Sequence, residues 1–176
     1  MIINSCRGEV TETTAMKKAI KDKRISGFIA DCWEHEPDID LELLNLVLYG
    51  TPHIAGYSKD GKANGTAMSV QAISKFFNLG IDNWMPNNVE LPEKTEIKID
   101  GSERKGYAIL AEAVLSTYDI ENDDEALRTN PQLFEQLRGD YPVRREFSSY
   151  TLIVKNVKFE TVEKLRAMGF KNVIEE

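Results

Sequence analysis

The stretch GFIADCW, Gly27–Trp33, decides the fold. It is a short apolar run that follows a glycine and gives way to EHEPDID, where Glu36 stands before Pro37 and resists the helical region. Too short for a helix, such a run suits a buried strand. Upstream, TETTAMKKAIKDKRISG sets Ala15, Met16, Ala19 and Ile20 at helical spacing, with Thr11 to Thr14 as cap candidates and Gly27 beyond the end. Before that helix, MIINSCRGEV opens on apolar Met1 to Ile3 and passes into a polar turn at Arg7 and Gly8, as a buried strand does at a functional edge. Strand, helix, strand at this spacing is a βαβ unit, which brings two strands side by side and parallel.

Downstream, LELLNLVLYG suits either a short helix or a strand, and TPHIAG reads as a further short strand running into a glycine turn. Ala63, Ala67, Val70, Ile73, Phe76 and Phe77 mark one long helix from Lys59 to Phe77. LGIDNWMPNNVELP, with two prolines and three asparagines, is the expected linker, and it divides the chain near Asn87 into segments 1–87 and 88–176. The second segment reads as strand (KTEIKID), helix (KGYAILAEAVLSTYDI), a polar connection with a helical turn or two, strand (FSSYTLIVKN), helix and closing strand, a small α+β unit.

With 176 residues, 41% of them hydrophobic, the chain can bury one good core or two small ones. A net charge of −7 argues against a general nucleic-acid binder, which needs a basic surface for phosphates. No run of about 18 apolar residues offers a membrane span, and no signal-peptide order opens the chain, so a cytoplasmic protein without a membrane partner is expected. Cys6 and Cys32 form no CxxC, and are expected as packed thiols in a reducing compartment.

Three polar clusters fall at the ends of apolar segments: Asn4 to Gly8, Asp31 to Pro37, and His53 to Tyr57. In open α/β sheets ligands bind at the carboxyl ends of strands, so the three can converge on one cleft. There an arginine can fork onto a carboxylate or ketone oxygen, and a histidine can take a hydroxyl proton if a carboxylate fixes its tautomer and stabilises its cation. Arg7, His53 and Glu36 are the candidates. Each has a plainer alternative: Arg7 paired with a surface carboxylate, Glu36 a solvated loop acid, Asp31 the cap of a turn. His35 is assigned no role. Cys32, His35, Glu36 and His53 match no zinc spacing, so no metal is expected.

The same residues carry a resemblance. INSCRG, ADCWEHEP and GTPHIAGY resemble the successive C-terminal signatures of the NAD-dependent D-2-hydroxyacid dehydrogenases, in order and with fitting gaps. Cys6 before the arginine, Trp33 after the Asp-Cys pair, Ala55-Gly56-Tyr57 and the later YPVRREFSS resemble a branch of that family acting on a phosphorylated sugar acid. The resemblance implies an α/β fold, the C-terminal part of a Rossmann-type nucleotide-binding domain in 1–87, followed by a small α+β dimerisation domain in 88–176 that makes a homodimer. By the same resemblance Arg7, Glu36 and His53 would be catalytic. Ser5, Cys6, Arg7, Asp31 and Gly56 would line NAD, with Asp31 toward the nicotinamide carboxamide, and Tyr57 would touch the substrate. The family's GxGxxG has no match here, so the chain is expected to be a C-terminal piece, inactive alone. A sibling 2-hydroxyacid dehydrogenase and a non-catalytic dimerisation module, associating through YTLIV, are the alternatives.

Overall fold

Strand, helix, strand is what the first thirty residues form in the computed structural model, which describes residues 1–176. Strand β1 (Ile2–Asn4), helix α1 (Thr13–Lys21) and strand β2 (Phe28–Ala30) are followed by helix α2 (Leu41–Leu46) and strand β3 (Tyr49–Gly50). The sheet order is β1-β2-β3, parallel throughout. Its three carboxyl ends therefore lie along one edge, and each opens into one of the three polar clusters. Phe28, Ala30, Trp33, Leu43, Leu44 and Met16 form the core behind them. LELLNLVLYG thus divides into helix then strand, the helix capped by the Asp40 carboxylate, which accepts from the Leu43 N–H at 2.7 Å.

TPHIAG is a loop and not the strand expected. Pro52 has no N–H to give a ladder, and the N–H groups of Ile54 and Ala55 go to the carboxylate of Asp31.

The chain forms two compact units, Met1–Ala55 with Asp119–Pro142, and Gly56–Tyr118 with Val143–Glu176. This differs from a single division near Asn87, because the segment read as a polar connection is helical and returns to the first core. Helices α5 (Ile120–Thr129) and α6 (Phe134–Gly139) send Leu127 and Phe134, both fully buried, into that cluster. Polar contacts fasten them: Asp124 accepts from the Gly50 N–H at 2.6 Å, and Arg128 donates to the carbonyls of Leu44 and Val47 at the end of α2.

The second unit has its own parallel sheet, order β4-β5-β6, from Glu96–Asp100, Thr151–Lys155 and Asn172–Glu175. Helices α4 (Gly106–Thr117) and α7 (Phe159–Ala167) pack against each other and join Ile97, Ile99, Leu152 and Val154 in its core. The opposite face stays open, with Glu96, Lys98 and Asp100 exposed along β4. Helix α3 (Lys59–Phe77) forms over the expected span, capped by Ser58, but buries only Ala67 and Ser74. Met68, Ile73, Phe76 and Phe77 are exposed. No helix of the chain is long and apolar enough to cross a membrane.

Candidate active site

At the end of β1, the buried Asn4 organises the next four residues. Its side-chain amide donates to the Arg7 carbonyl at 2.9 Å and the Thr11 hydroxyl at 3.1 Å, and its side-chain oxygen accepts from the Cys6 N–H at 3.1 Å. Gly8 is required by close approach, since a Cβ there would fall 1.9 Å from the Trp33 carbonyl oxygen. The turn so built leaves Ser5, Cys6 and Arg7 exposed. Arg7 makes no ion pair; its guanidinium donates only to the Cys6 carbonyl, at 2.7 Å. The surface-carboxylate alternative for Arg7 has no partner here.

At the end of β2, Asp31 is buried and its carboxylate holds the third loop. Oδ1 accepts from the Thr51 hydroxyl and the Ile54 N–H, both at 2.7 Å, and Oδ2 accepts from the Ala55 N–H at 3.1 Å. Trp33 adds a fourth tie, its indole N–H donating to the Thr51 carbonyl at 2.9 Å. Asp31 therefore does cap a turn, and that turn carries His53 in the left-handed region at φ 55°. Oδ2 also accepts from the Cys32 thiol, at 3.9 Å.

Within this frame Glu36 and His53 meet. Glu36 Oε2 lies 2.8 Å from His53 Nδ1, while Oε1 accepts from the Trp33 N–H at 2.8 Å. Their side chains are 18% and 27% exposed, enough to shield the contact and leave the imidazole reachable. A carboxylate can only accept, so Nδ1 carries the proton and Nε2 is the basic atom in the neutral ring. Glu36 is thus a fixed partner and not a solvated loop acid.

Cys32 completes the cluster. One ligand atom from each of Cys32, Glu36 and His53 lies within 4.8 Å of the others. Burial first, then the carboxylates of Asp31 and Glu36, pushes the Cys32 thiol up to about 12, against the opposing pull of Arg7. Burial and the two carboxylates keep the proton on sulfur. Cys32 is the packed thiol expected; Cys6 is exposed, contrary to expectation, because the Asn4-held turn points outward. His35 is exposed and outside the cluster.

Gly56 and Tyr57 fall in the second unit, where a Cβ on Gly56 would meet nothing within 4 Å and Lys62 sits 4.0 Å over the Tyr57 ring. Sequence reasoning missed Asn4, Trp33 and Thr51 as builders of the site. Asn4 and Thr51 stand inside the quoted motifs, and a buried polar residue at a strand end was the available signal.

Residues 1–55 match the family model described as D-isomer specific 2-hydroxyacid dehydrogenase, NAD binding domain, and residues 90–169 match a domain of unknown function, DUF3410. The chain is 47% identical over 154 residues to the erythronate-4-phosphate dehydrogenase of Bacteroides fragilis, covering 88% of this chain and 41% of that protein. It is 40% identical over 170 residues to the protein of the same name from Porphyromonas gingivalis, covering 97% of this chain and 45% of that one. The Marinobacter nauticus protein of that name gives 36% over 179 residues. The chain thus spans less than half the length of these relatives, and its residues 1–55 are similar to the NAD-binding domain of the D-isomer-specific 2-hydroxyacid dehydrogenases.

Proposed function

We propose that this chain carries the proton-handling part of an NAD-dependent dehydrogenase that oxidises 4-phospho-D-erythronate at C2, a step of vitamin B6 biosynthesis, in the cytoplasm. The single observation that carries the reading is the Glu36–His53 pair, 2.8 Å apart beside an arginine loop without a counter-ion. His53 Nε2 takes the C2 hydroxyl proton as the C2–O bond becomes a carbonyl, and Glu36 balances the imidazolium so formed. Arg7 offers its fork of donors to the substrate carboxylate and the developing ketone oxygen.

Bound NAD would supply the acceptor for the C2 hydride. The residues present suit it in part. Ser5, Cys6 and Arg7 are exposed on one turn, and the open space at Gly56 admits close approach of a ligand. Asp31 is assigned to the nicotinamide carboxamide. No metal enters this chemistry. Tyr57 is assigned to the substrate.

Segment 1–87 is assigned to the nucleotide-binding part and 88–176 to dimerisation. YTLIV cannot drive self-association with its buried side chains, since Tyr150, Leu152 and Val154 belong to their own core. The exposed apolar row on α3 supports a homodimer better.

The test is NADH production from 4-phospho-D-erythronate by the full-length gene product containing these 176 residues. His53→Ala is expected to lower kcat by about 10³-fold without loss of folding; a loss of only a few-fold would remove His53 from the acid–base role. Faster turnover of 3-phosphoglycerate than of 4-phospho-D-erythronate would reassign the substrate.

A further inference from the structure

The second unit has a polar carboxyl edge of a different kind. The loops after β4 and β5 border an open cavity of about 850 Å³, lined by Gly101 to Gly106 and Ile109 on one side and by Asn156, Lys158 and Thr161 on the other. Two helices begin there, α4 at Gly106 and α7 at Phe159, and neither has a side-chain cap. Each N-cap residue is instead a lysine, Lys105 and Lys158, and neither lysine makes an ion pair. An unpaired ammonium beside an uncapped N-terminus is the reverse of the acidic side chain that the helix dipole favours, unless an anion lies between them.

Thr161 points to that anion independently. It is 7% exposed, and its hydroxyl makes no hydrogen bond although it lines the cavity. That hydroxyl lies 2.7 Å from where a Cβ on Gly106 would stand, so a glycine opens α4 directly against it. A ligand oxygen in the cavity would give that hydroxyl a partner. The other polar groups of the edge are already committed. Asp100 accepts from Ser102 and Asn156, and Arg104 pairs with Glu112. In a chain of net charge −7, Arg104, Lys105 and Lys158 face only Glu103 among the cavity residues.

We infer that this cavity is an oxyanion site for a phosphate group, held by Lys105, Lys158, the Thr161 hydroxyl and the first turns of α4 and α7. The chemistry is shared by free phosphate and phosphomonoesters, and the cavity has room for a phosphomonoester with a small organic body. The site is independent of the dehydrogenase reading, since every residue in it belongs to the second unit.

Amide NMR on the 176-residue chain tests it, with inorganic phosphate and glycerol 3-phosphate titrated separately. Saturable shifts confined to Gly101, Gly106 and Thr161 are expected at millimolar concentrations. Thr161→Val and Lys158→Gln are each expected to raise Kd at least about fivefold, roughly the 1 kcal/mol of one charge-assisted contact. Non-saturating shifts spread over surface lysines would overturn the site, as would saturable binding that both variants retain unchanged. Glycerol 3-phosphate binding no tighter than inorganic phosphate would overturn the phosphomonoester assignment and leave the free ion.

Discussion

The two units are built on the same plan with opposite charge. Each has three parallel strands in sequential order and collects polar loops at the carboxyl edge. In the first, carboxylates do the holding: Asp31 clamps the loop of residues 51–55 and Glu36 takes His53. In the second, lysines stand at two uncapped helix ends. The edge of a parallel sheet supplies a place for polar groups, and the side chains there decide whether that place moves a proton or holds an anion. A fold-level likeness between the halves therefore says little about chemistry, and the residues say a good deal.

The separateness of the two units can be broken most severely at Phe134. It is fully buried in the first core although it lies far along the chain from β1 to β3. Phe134→Ala is expected to cost about 4 kcal/mol. Hydrogen exchange should rise in β1 to β3 while β4 to β6 keep their protection. Equal loss in both sheets would mean that the units unfold as one.

The counterpart in the second unit is Asp60, at the start of α3. Its carboxylate takes the Arg145 guanidinium at 2.8 and 2.9 Å and the Glu146 N–H at 2.7 Å. Arg145 holds that carboxyl below its ordinary 3.8. A depressed carboxyl stabilises the fold above its unfolded value and ceases to as pH falls through the native one, so the contribution is intact at neutral pH and lost in acid. Asp60→Asn should cost about 2 kcal/mol at pH 7, read as a shift in urea midpoint, and the gap between variant and parent should close below pH 4.

A smaller effect separates the two thiols. Native Cys32 keeps a proton that the unfolded chain releases above 9, so its contribution is whole below pH 9 and is lost as pH climbs toward 12. Stability should fall by about 1 kcal/mol more between pH 8 and 10 in the parent than in Cys32→Ala. At pH 8 a thiol reagent should modify exposed Cys6 and spare Cys32; rapid labelling of both would contradict the burial.

Much of this was legible from residues alone where the signal was local. GFIADCW and its neighbours showed the βαβ unit, and the apolar spacing of Lys59 to Phe77 showed α3, because period and punctuation are written within the segment. DDEALRTNPQLFEQLRG concealed its role, since the pull that makes it helical comes from a core a hundred residues upstream. TPHIAG misled for a related reason: its N–H groups are taken by Asp31, and no periodicity records a side-chain acceptor in another loop. At the candidate site, the Glu36–His53 pairing could be expected from types and order. Asn4, Trp33 and Thr51 could not, because their work is to hold backbone, and many residues can look capable of that.

The central claim is that Glu36 fixes the His53 ring with Nε2 as the base. Long-range ¹H–¹⁵N NMR of the imidazoles reads this directly in a chain with only two histidines, and exposed His35 serves as the internal reference. In the neutral ring the account predicts a protonated Nδ1 and a bare Nε2 for His53, with that preference lost in Glu36→Ala. A His53 ring protonated at Nε2, or a tautomer indifferent to the loss of Glu36, would contradict it.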